Sequence, residues 1–115
     1  MAAFTVADGT DWLQTLVFGG PNDRWRLDDY DITMHVKRSG QAEVLIDANL
    51  DNGKLVIANA AGRRLEINVG WSDIFAAGPG PFVFDVYFVD RATDIRSRSG
   101  PHTITITPAI TLPEA

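Results

Sequence analysis

The segment Tyr30–Lys37, with the sequence YDITMHVK, alternates apolar and polar side chains without a break. Successive side chains of a β-strand point to opposite faces, so this period of two predicts a strand with one buried and one solvated face. The next four residues, 38–41, include the glycine of a tight hairpin, and residues 43–48 alternate again. The stretch 30–48 therefore predicts an antiparallel pair of strands.

The same period recurs along most of the chain. Both faces of residues 82–89 are largely apolar, which predicts a central strand in its sheet. The only predicted turn of helix is 71–76, with Ser72 as its N-cap. The remaining predicted strands are 12–18, 55–57, 64–69, 102–107 and a short edge strand at 4–6. Seven or eight short strands separated by turn residues predict an all-β antiparallel sandwich.

The inward face of this sandwich follows from the alternation. Trp12 and Trp71 lie in apolar stretches and are expected in the core, whereas Trp25 is the best candidate for an exposed ring. The predicted core positions are Ile32, Met34, Val36, Ile67, Phe84, Val86, Ile104 and Ile106.

Length, charge and composition narrow the function. With 115 residues the chain fits one domain, 1–115, and the absence of cysteine excludes a disulfide scaffold, thiol catalysis and a cysteine-based zinc site. A net charge of -5 disfavours binding to the nucleic-acid backbone. No signal peptide and no membrane-spanning segment is expected.

Catalytic, cofactor and metal sites are not predicted. His35 and His102 have no metal-ligand spacing, and the aspartates between residues 23 and 31 fit a solvated loop better than a calcium site. Asp85 lies in an apolar strand, where a carboxylate needs a partner, so it is expected to pair with an arginine of the last strand or to cap backbone amides. A pocket that joins Asp85 to either histidine would favour an enzyme.

Candidate partner contacts lie on the surface and at the chain ends. Two interpretations of the arginines near residues 91–98 stay open: a basic patch for an acidic partner, or charges that protect a sheet edge from aggregation. Apolar residues at both ends fall outside the strand pattern and are expected to lie on a partner or on the domain itself, with 108–115 as a docking tail. The candidate contact residues are Phe4, Val6, Trp25, Arg91, Arg96, Arg98, Ile110 and Leu112.

The order of these segments resembles a known family. The stretch 25–38, the turn and strand at 53–57, the aromatic strand 82–88 and the closing strand 103–108 resemble small immunoglobulin-like domains from tail and baseplate modules of tailed bacteriophages and prophages. Such domains are similar to the N-terminal domains of baseplate upper proteins and tail-fibre attachment proteins. The resemblance covers nearly the whole chain and implies an immunoglobulin-like sandwich.

The resemblance also implies a function. It predicts a non-enzymatic virion protein, assembled in the bacterial cytoplasm, that contacts other tail, baseplate, fibre or capsid proteins in many copies, without a cofactor. Two alternatives are a capsid decoration protein of the same particle and a carbohydrate-binding module for a host surface glycan. The carbohydrate alternative requires at least two exposed coplanar aromatic rings.

Overall fold

The computed structural model describes residues 2–20 and 22–111. Two β-sheets enclose a common apolar core, which confirms the predicted all-β sandwich of about eight strands. The strands are β1 (Ala3–Ala7), β2 (Trp12–Val17), β3 (Tyr30–Arg38), β4 (Val44–Asn49), β5 (Leu55–Asn59), β6 (Arg64–Val69), β7 (Gly80–Asp90) and β8 (Arg96–Thr107). A 3-10 turn (Leu27–Asp29) precedes β3, and a helix α1 (Trp71–Ala77) links β6 to β7.

The strand order is that of an immunoglobulin-like sandwich. One sheet has the order β1-β8-β7-β3-β4 and the other the order β2-β6-β5. In immunoglobulin nomenclature the second sheet corresponds to strands B, E and D, and the first to strands G, F, C and C′ with an added first strand. β7 lies between β8 and β3, so its predicted central position is confirmed.

One pairing departs from the predicted antiparallel pattern. β1 runs parallel to β8, with Ala3 opposite Thr103 and Ala7 opposite Thr107. The reason is topological, because β1 and β8 are separated by six strands and are not joined by a hairpin. β1 is therefore an edge strand of the larger sheet and lies next to β8.

The core is formed by the alternating faces of both sheets. All eight predicted core positions are buried, and Trp12 joins them with only 2% of its surface exposed. Leu27, in the 3-10 turn, and Ile74, in α1, close two openings between the sheets with fully buried side chains. Twenty buried apolar side chains thus form one continuous cluster in the described residues.

Helix α1 begins differently from the prediction. Its N-cap is Gly70 rather than Ser72, and no side chain of the helix caps it. The carboxylate of Asp11 instead accepts the backbone N–H of Trp71 at 2.7 Å, so the cap comes from a distant residue of the chain. Trp71 itself is 40% exposed, which makes its predicted place in the core wrong. None of the helices in the described part of the chain is long and apolar enough to cross a membrane.

β8 is twice as long as the strand predicted for it. Its first half begins at Arg96, and an irregularity separates the two halves. Phe84 pairs with His102 and Val86 pairs with Ser99, so Asp85 alone lies opposite two residues of β8. This β-bulge keeps the inward alternation on both sides of it.

Candidate functional site

Four aromatic side chains line a cleft of about 390 Å³ at one end of the sandwich. Phe18 meets Phe88 edge to face, with ring centroids 5.1 Å apart, and Trp25 meets Tyr30 in the same way at 5.6 Å. Phe88 is buried, whereas the other three rings are half-buried and present one side to solvent. We call this surface the aromatic cleft, and its lining consists of Phe18, Gly19, Trp25, Tyr30, Phe88, Ser97, Arg98 and Ser99.

The first half of β8 forms one wall of the aromatic cleft. Ser97 is opposite Phe88 and Ser99 is opposite Val86, so both serines point inward at positions where the second half carries Ile104 and Ile106. β1 pairs only with residues 103–107. Within the described part of the chain, residues 96–101 thus have a neighbouring strand on the β7 side alone. The cleft is therefore bordered by a free strand edge.

A buried arginine holds the loop that carries Trp25. Arg63 is buried, and its guanidinium donates only to backbone carbonyl groups, while its side chain also lies 5.6 Å from the centre of the Trp25 ring. The acceptors are the carbonyl oxygens of Phe18, Gly20, Asp23, Trp25 and Ala61, at 2.8–3.3 Å. The rigid guanidinium of Arg63 binds carbonyl oxygens on both sides of the loop. The position of this loop, and therefore of the aromatic cleft, depends on Arg63.

Trp25 lies in the cleft rather than on an open platform. Its ring is tilted by 79° to Tyr30 and by 83° to Phe88. A sugar that stacks on a protein needs a ring face, and two coplanar rings are required for the predicted carbohydrate platform. None of the aromatic pairs in the described residues is coplanar, and the smallest angle is the 32° between Phe4 and Phe84.

The outer face of the larger sheet carries a row of charges. His35 Nε2 lies 3.2 Å from Asp47 of β4, and Asp85 accepts a hydrogen bond of 2.9 Å from Arg98 of β8. The Arg98 guanidinium also lies 4.5 Å from the centre of the Tyr87 ring. The predicted pairing of Asp85 with an arginine of the last strand is thus observed.

This row places Asp85 and His35 in one depression of about 180 Å³, so the pocket that was expected to favour an enzyme is present. The two residues are directly opposite each other on β7 and β3. Their contacts lead away from each other, because His35 faces Asp47 and Asp85 faces Arg98. Arg98 and Asp85 form a partly solvated ion pair, whereas His35 contacts Asp47 through Nε2. Among the described residues no hydroxyl group forms a hydrogen bond with His35.

The other two candidate arginines stabilise the β7–β8 hairpin. Arg91 pairs with Asp31 at 3.0 Å and donates to the carbonyl oxygens of Asp28 and Tyr30, which ties the hairpin to the start of β3. Arg96 donates to the hydroxyl of Tyr87, and this hydrogen bond raises the pKa of the arginine. The side chains of Arg96 and Arg98 remain more than half exposed, so they can still face a partner.

Two aspartates between residues 23 and 31 stabilise the local structure of their own segment. Arg26 binds both carboxylate oxygens of Asp28, and this hydrogen-bonded pair lowers the pKa of Asp28. Asp23 accepts the backbone N–H of Gly20 and thereby closes the loop after β2. In the described ranges no three histidine or acidic side chains come together in a way that could hold a metal ion.

His102 connects the first strand to the last. Its Nδ1 accepts the backbone N–H of Ala2 at 3.0 Å, and its Nε2 lies 3.2 Å from the Ser99 hydroxyl. An acceptor at Nδ1 requires the neutral ring with its hydrogen on Nε2. Burial lowers the pKa of His102, and the nearby charge of Asp85 opposes this shift only in part.

The apolar residues near the two ends of the chain differ in whether they are exposed to a binding partner. Val6 is 9% exposed and belongs to the core cluster, and Phe4 packs against it, so β1 uses both side chains to bind its own domain. This placement agrees with the predicted edge strand at 4–6 and with packing on the domain itself rather than on a partner. Ile110 is fully exposed at 104% and remains available for a partner, and Leu112 lies outside the described residues.

The aromatic cleft and Arg63 were not found from the sequence. The cleft is made of residues from four separate segments that only the fold brings together, and Arg63 was not among the candidate residues. No signal in a single sequence distinguishes a buried arginine that binds carbonyls from a solvated one.

No protein-family model matches the chain, and a search of curated proteins found no similar protein. The resemblance to tail and baseplate domains therefore stays a prediction from the sequence.

Proposed function

We propose that this chain is a non-enzymatic structural domain of a tailed phage or prophage particle that joins its neighbours by protein–protein contacts. The observation that carries the proposal is the aromatic cleft beside the free half of β8. An extended segment of a neighbouring particle protein lies along residues 96–101 and places an apolar side chain among the rings. The phage setting is taken from the resemblance of the sequence.

Main-chain hydrogen bonds supply the affinity in this mode of binding. A free strand edge offers N–H and C=O groups to any extended chain, and such β-augmentation obtains its specificity from pockets for alternate side chains. The cleft is a pocket of this kind, because it contains aromatic rings and two serine hydroxyls. An apolar side chain of the partner would be buried among the rings, and the serine hydroxyls would form hydrogen bonds with a polar group next to it.

The charges on the outer side of β8 predict which residues the partner segment carries on its outward face. On the outer side of the same half of β8, Arg96 and Arg98 present exposed guanidinium groups. A strand added to this edge would place its outward residues beside them. The partner segment is therefore expected to alternate apolar residues, which face the cleft, with acidic residues, which face the two arginines.

A photo-crosslinking residue at Ser97 tests both parts of the proposal. The variant is expressed in the bacterial strain that carries the gene, particles are purified after induction, and the crosslinked peptides are identified by mass spectrometry. Ser39 is the matched control, because it is an exposed serine in the hairpin between β3 and β4. We expect position 97, and not position 39, to crosslink to a segment of a particle protein.

The possible failures are distinguishable. If the chain is not found in purified particles, the virion function is wrong. If it is found there but position 97 crosslinks no better than position 39, the virion function survives and docking in the cleft is wrong. If position 97 crosslinks to a glycan, the carbohydrate-binding alternative replaces the proposal.

A further inference from the structure

β2 is an edge strand of the smaller sheet with an unusual composition. Its six residues, WLQTLV, include no charged residue, no proline and no glycine. Its outward face exposes Leu13 at 65% and Val17 at 56%, on either side of Thr15. In the described residues the backbone of 12–17 forms no hydrogen bond besides those of its pairing with β6. One side of this strand is therefore ready to pair.

In the part of the chain that the structure describes, the sheets have three other edge strands. β1 exposes only the small side chains of Ala3, Thr5 and Ala7, whereas β4 and β5 carry features that hinder pairing. β4 contains Asp47 in its free edge, and its pairing with β3 is shifted at Val36 and Lys37. β5 has a register shift between Ile57 and Asn59. Charges and bulges of this kind protect natural sheets from edge-to-edge association. β2 pairs with β6 over all six residues without a shift and lacks such protection.

We infer that β2 pairs antiparallel with β2 of a second copy of this chain, around a two-fold axis that passes through Thr15. In an antiparallel pair, opposite residues point to the same face, so the two copies keep a common inner face only if the axis passes through a residue. With Thr15 on the axis, Leu13 of each copy is opposite Val17 of the other. Both exposed apolar side chains are then covered by each other.

The neighbouring registers do not achieve this. With the axis at Gln14, Val17 would face the charged Asp11, whose carboxylate already caps α1. With the axis at Leu16, Leu13 would face Gly19, which has no side chain to cover it. The absence of charge along β2 also means that no like charges meet at the axis. A second copy of this chain is thus the partner that fits the free edge of β2 best.

This pairing joins two copies through one continuous six-stranded sheet, in the order β5-β6-β2-β2-β6-β5. The contact is isologous, since the same residues serve both copies, and it closes as a dimer. The inference stands apart from the proposed docking in the aromatic cleft, because it uses Leu13, Thr15 and Val17, which do not line that cleft.

A single cysteine tests the register directly, since the chain has none of its own. Opposite residues in an antiparallel pair have Cα atoms about 4.5–5.5 Å apart, and a disulfide spans about 4.4–6.8 Å. Thr15→Cys should therefore form a disulfide-linked dimer under mild oxidation. Thr5→Cys is the matched control, because Thr5 is an exposed threonine on the edge strand β1. We expect Thr15→Cys to crosslink at least about tenfold faster than this control.

Sedimentation of the cysteine-free protein provides the second measurement. We expect the mass of a dimer at high concentration, and self-association weakened at least about tenfold by Leu13→Lys. Leu45→Lys is the control, because Leu45 is exposed on the β4 edge. Circular dichroism checks that each variant is folded. A monomer at all concentrations, equal effects of the two lysine variants, or crosslinking of Thr15→Cys no faster than Thr5→Cys would each overturn the inference.

Discussion

Trp12 of β2 packs edge to face against Phe84 of β7, with ring centroids 5.3 Å apart and planes at 74°. These two strands correspond to B and F, which antibody domains join by a disulfide between the sheets. The chain has no cysteine, so an aromatic pair occupies the centre of the sandwich instead.

Loss of this pair should strongly destabilise the fold. We expect Phe84→Ala to lower the free energy of unfolding by about 3–5 kcal/mol, because a buried ring is replaced by a cavity. Trp71→Ala is the control, since that ring is largely on the surface and not in the core. Urea unfolding followed by fluorescence measures both. If the two variants lose similar stability, the inter-sheet pair does not have the central role assigned to it.

Arg63 should be the arginine whose loss matters most for stability. Arg63→Ala removes the guanidinium donor from five carbonyl groups, of which that of Gly20 keeps the backbone N–H of Asp23. We expect a loss of about 3 kcal/mol. Arg63→Lys should rescue little, because an ammonium group has three donors on one nitrogen and lacks the planar fork with which the guanidinium contacts five carbonyl oxygens. The adjacent Arg64 is exposed, and Arg64→Ala should change stability by less than about 0.5 kcal/mol. Urea midpoints that are similar for positions 63 and 64 would contradict the role of Arg63.

Stability should fall between neutral and mildly acidic pH because of His102. The folded state holds the pKa of this ring below 6.5, its ordinary value. As the pH falls below that value the unfolded chain binds the proton first, and the free energy of unfolding decreases until the pH passes the lower pKa of the folded state. The protonated ring would also lose the hydrogen bond from Ala2.

Urea unfolding at pH 7 and pH 5 measures this dependence. We expect His102→Gln, which cannot take up a proton in this range, to flatten it. His35→Gln is the matched variant, because it removes the other histidine from an exposed position. The assignment to His102 fails if His35→Gln flattens the dependence as much as His102→Gln does.

Removal of residues 108–115 should leave the sandwich intact and impair assembly. Pro108 follows the last strand, and Ile110 has no burial to lose. We expect the free energy of unfolding to change by less than about 0.5 kcal/mol, and incorporation into particles to fall. An unfolded truncated protein would place the tail in the core, and normal incorporation would exclude it as a docking segment.

The sequence predicted the sheets well because burial there follows a period of two. Met34 and Val86, for example, alternate with solvated neighbours and are both fully buried. The alternation of inward and outward residues also continues past the β-bulge, because two residues of β8 lie opposite the single residue Asp85 of β7. Where apolar alternation was present, strand and face were both predicted correctly.

The failures have a common cause, which is that the deciding partner lies far away in the sequence. The first half of β8 alternates arginine with serine and has no apolar face, because its inward positions border the aromatic cleft. Ser72 was predicted as a cap, although the cap is Asp11, sixty residues earlier. Trp71 resembled a core residue because Val69, Ile74 and Phe75 lie near it in the sequence.

The parallel pairing of β1 with β8 has a consequence for biosynthesis. Residues 3–7 hydrogen-bond to residues 103–107, so the first strand has no sheet to join until the last strand leaves the ribosome. At about 5–20 residues per second, this delay lasts roughly 5–20 s. During that time Phe4 and Val6 are uncovered and accessible to chaperones.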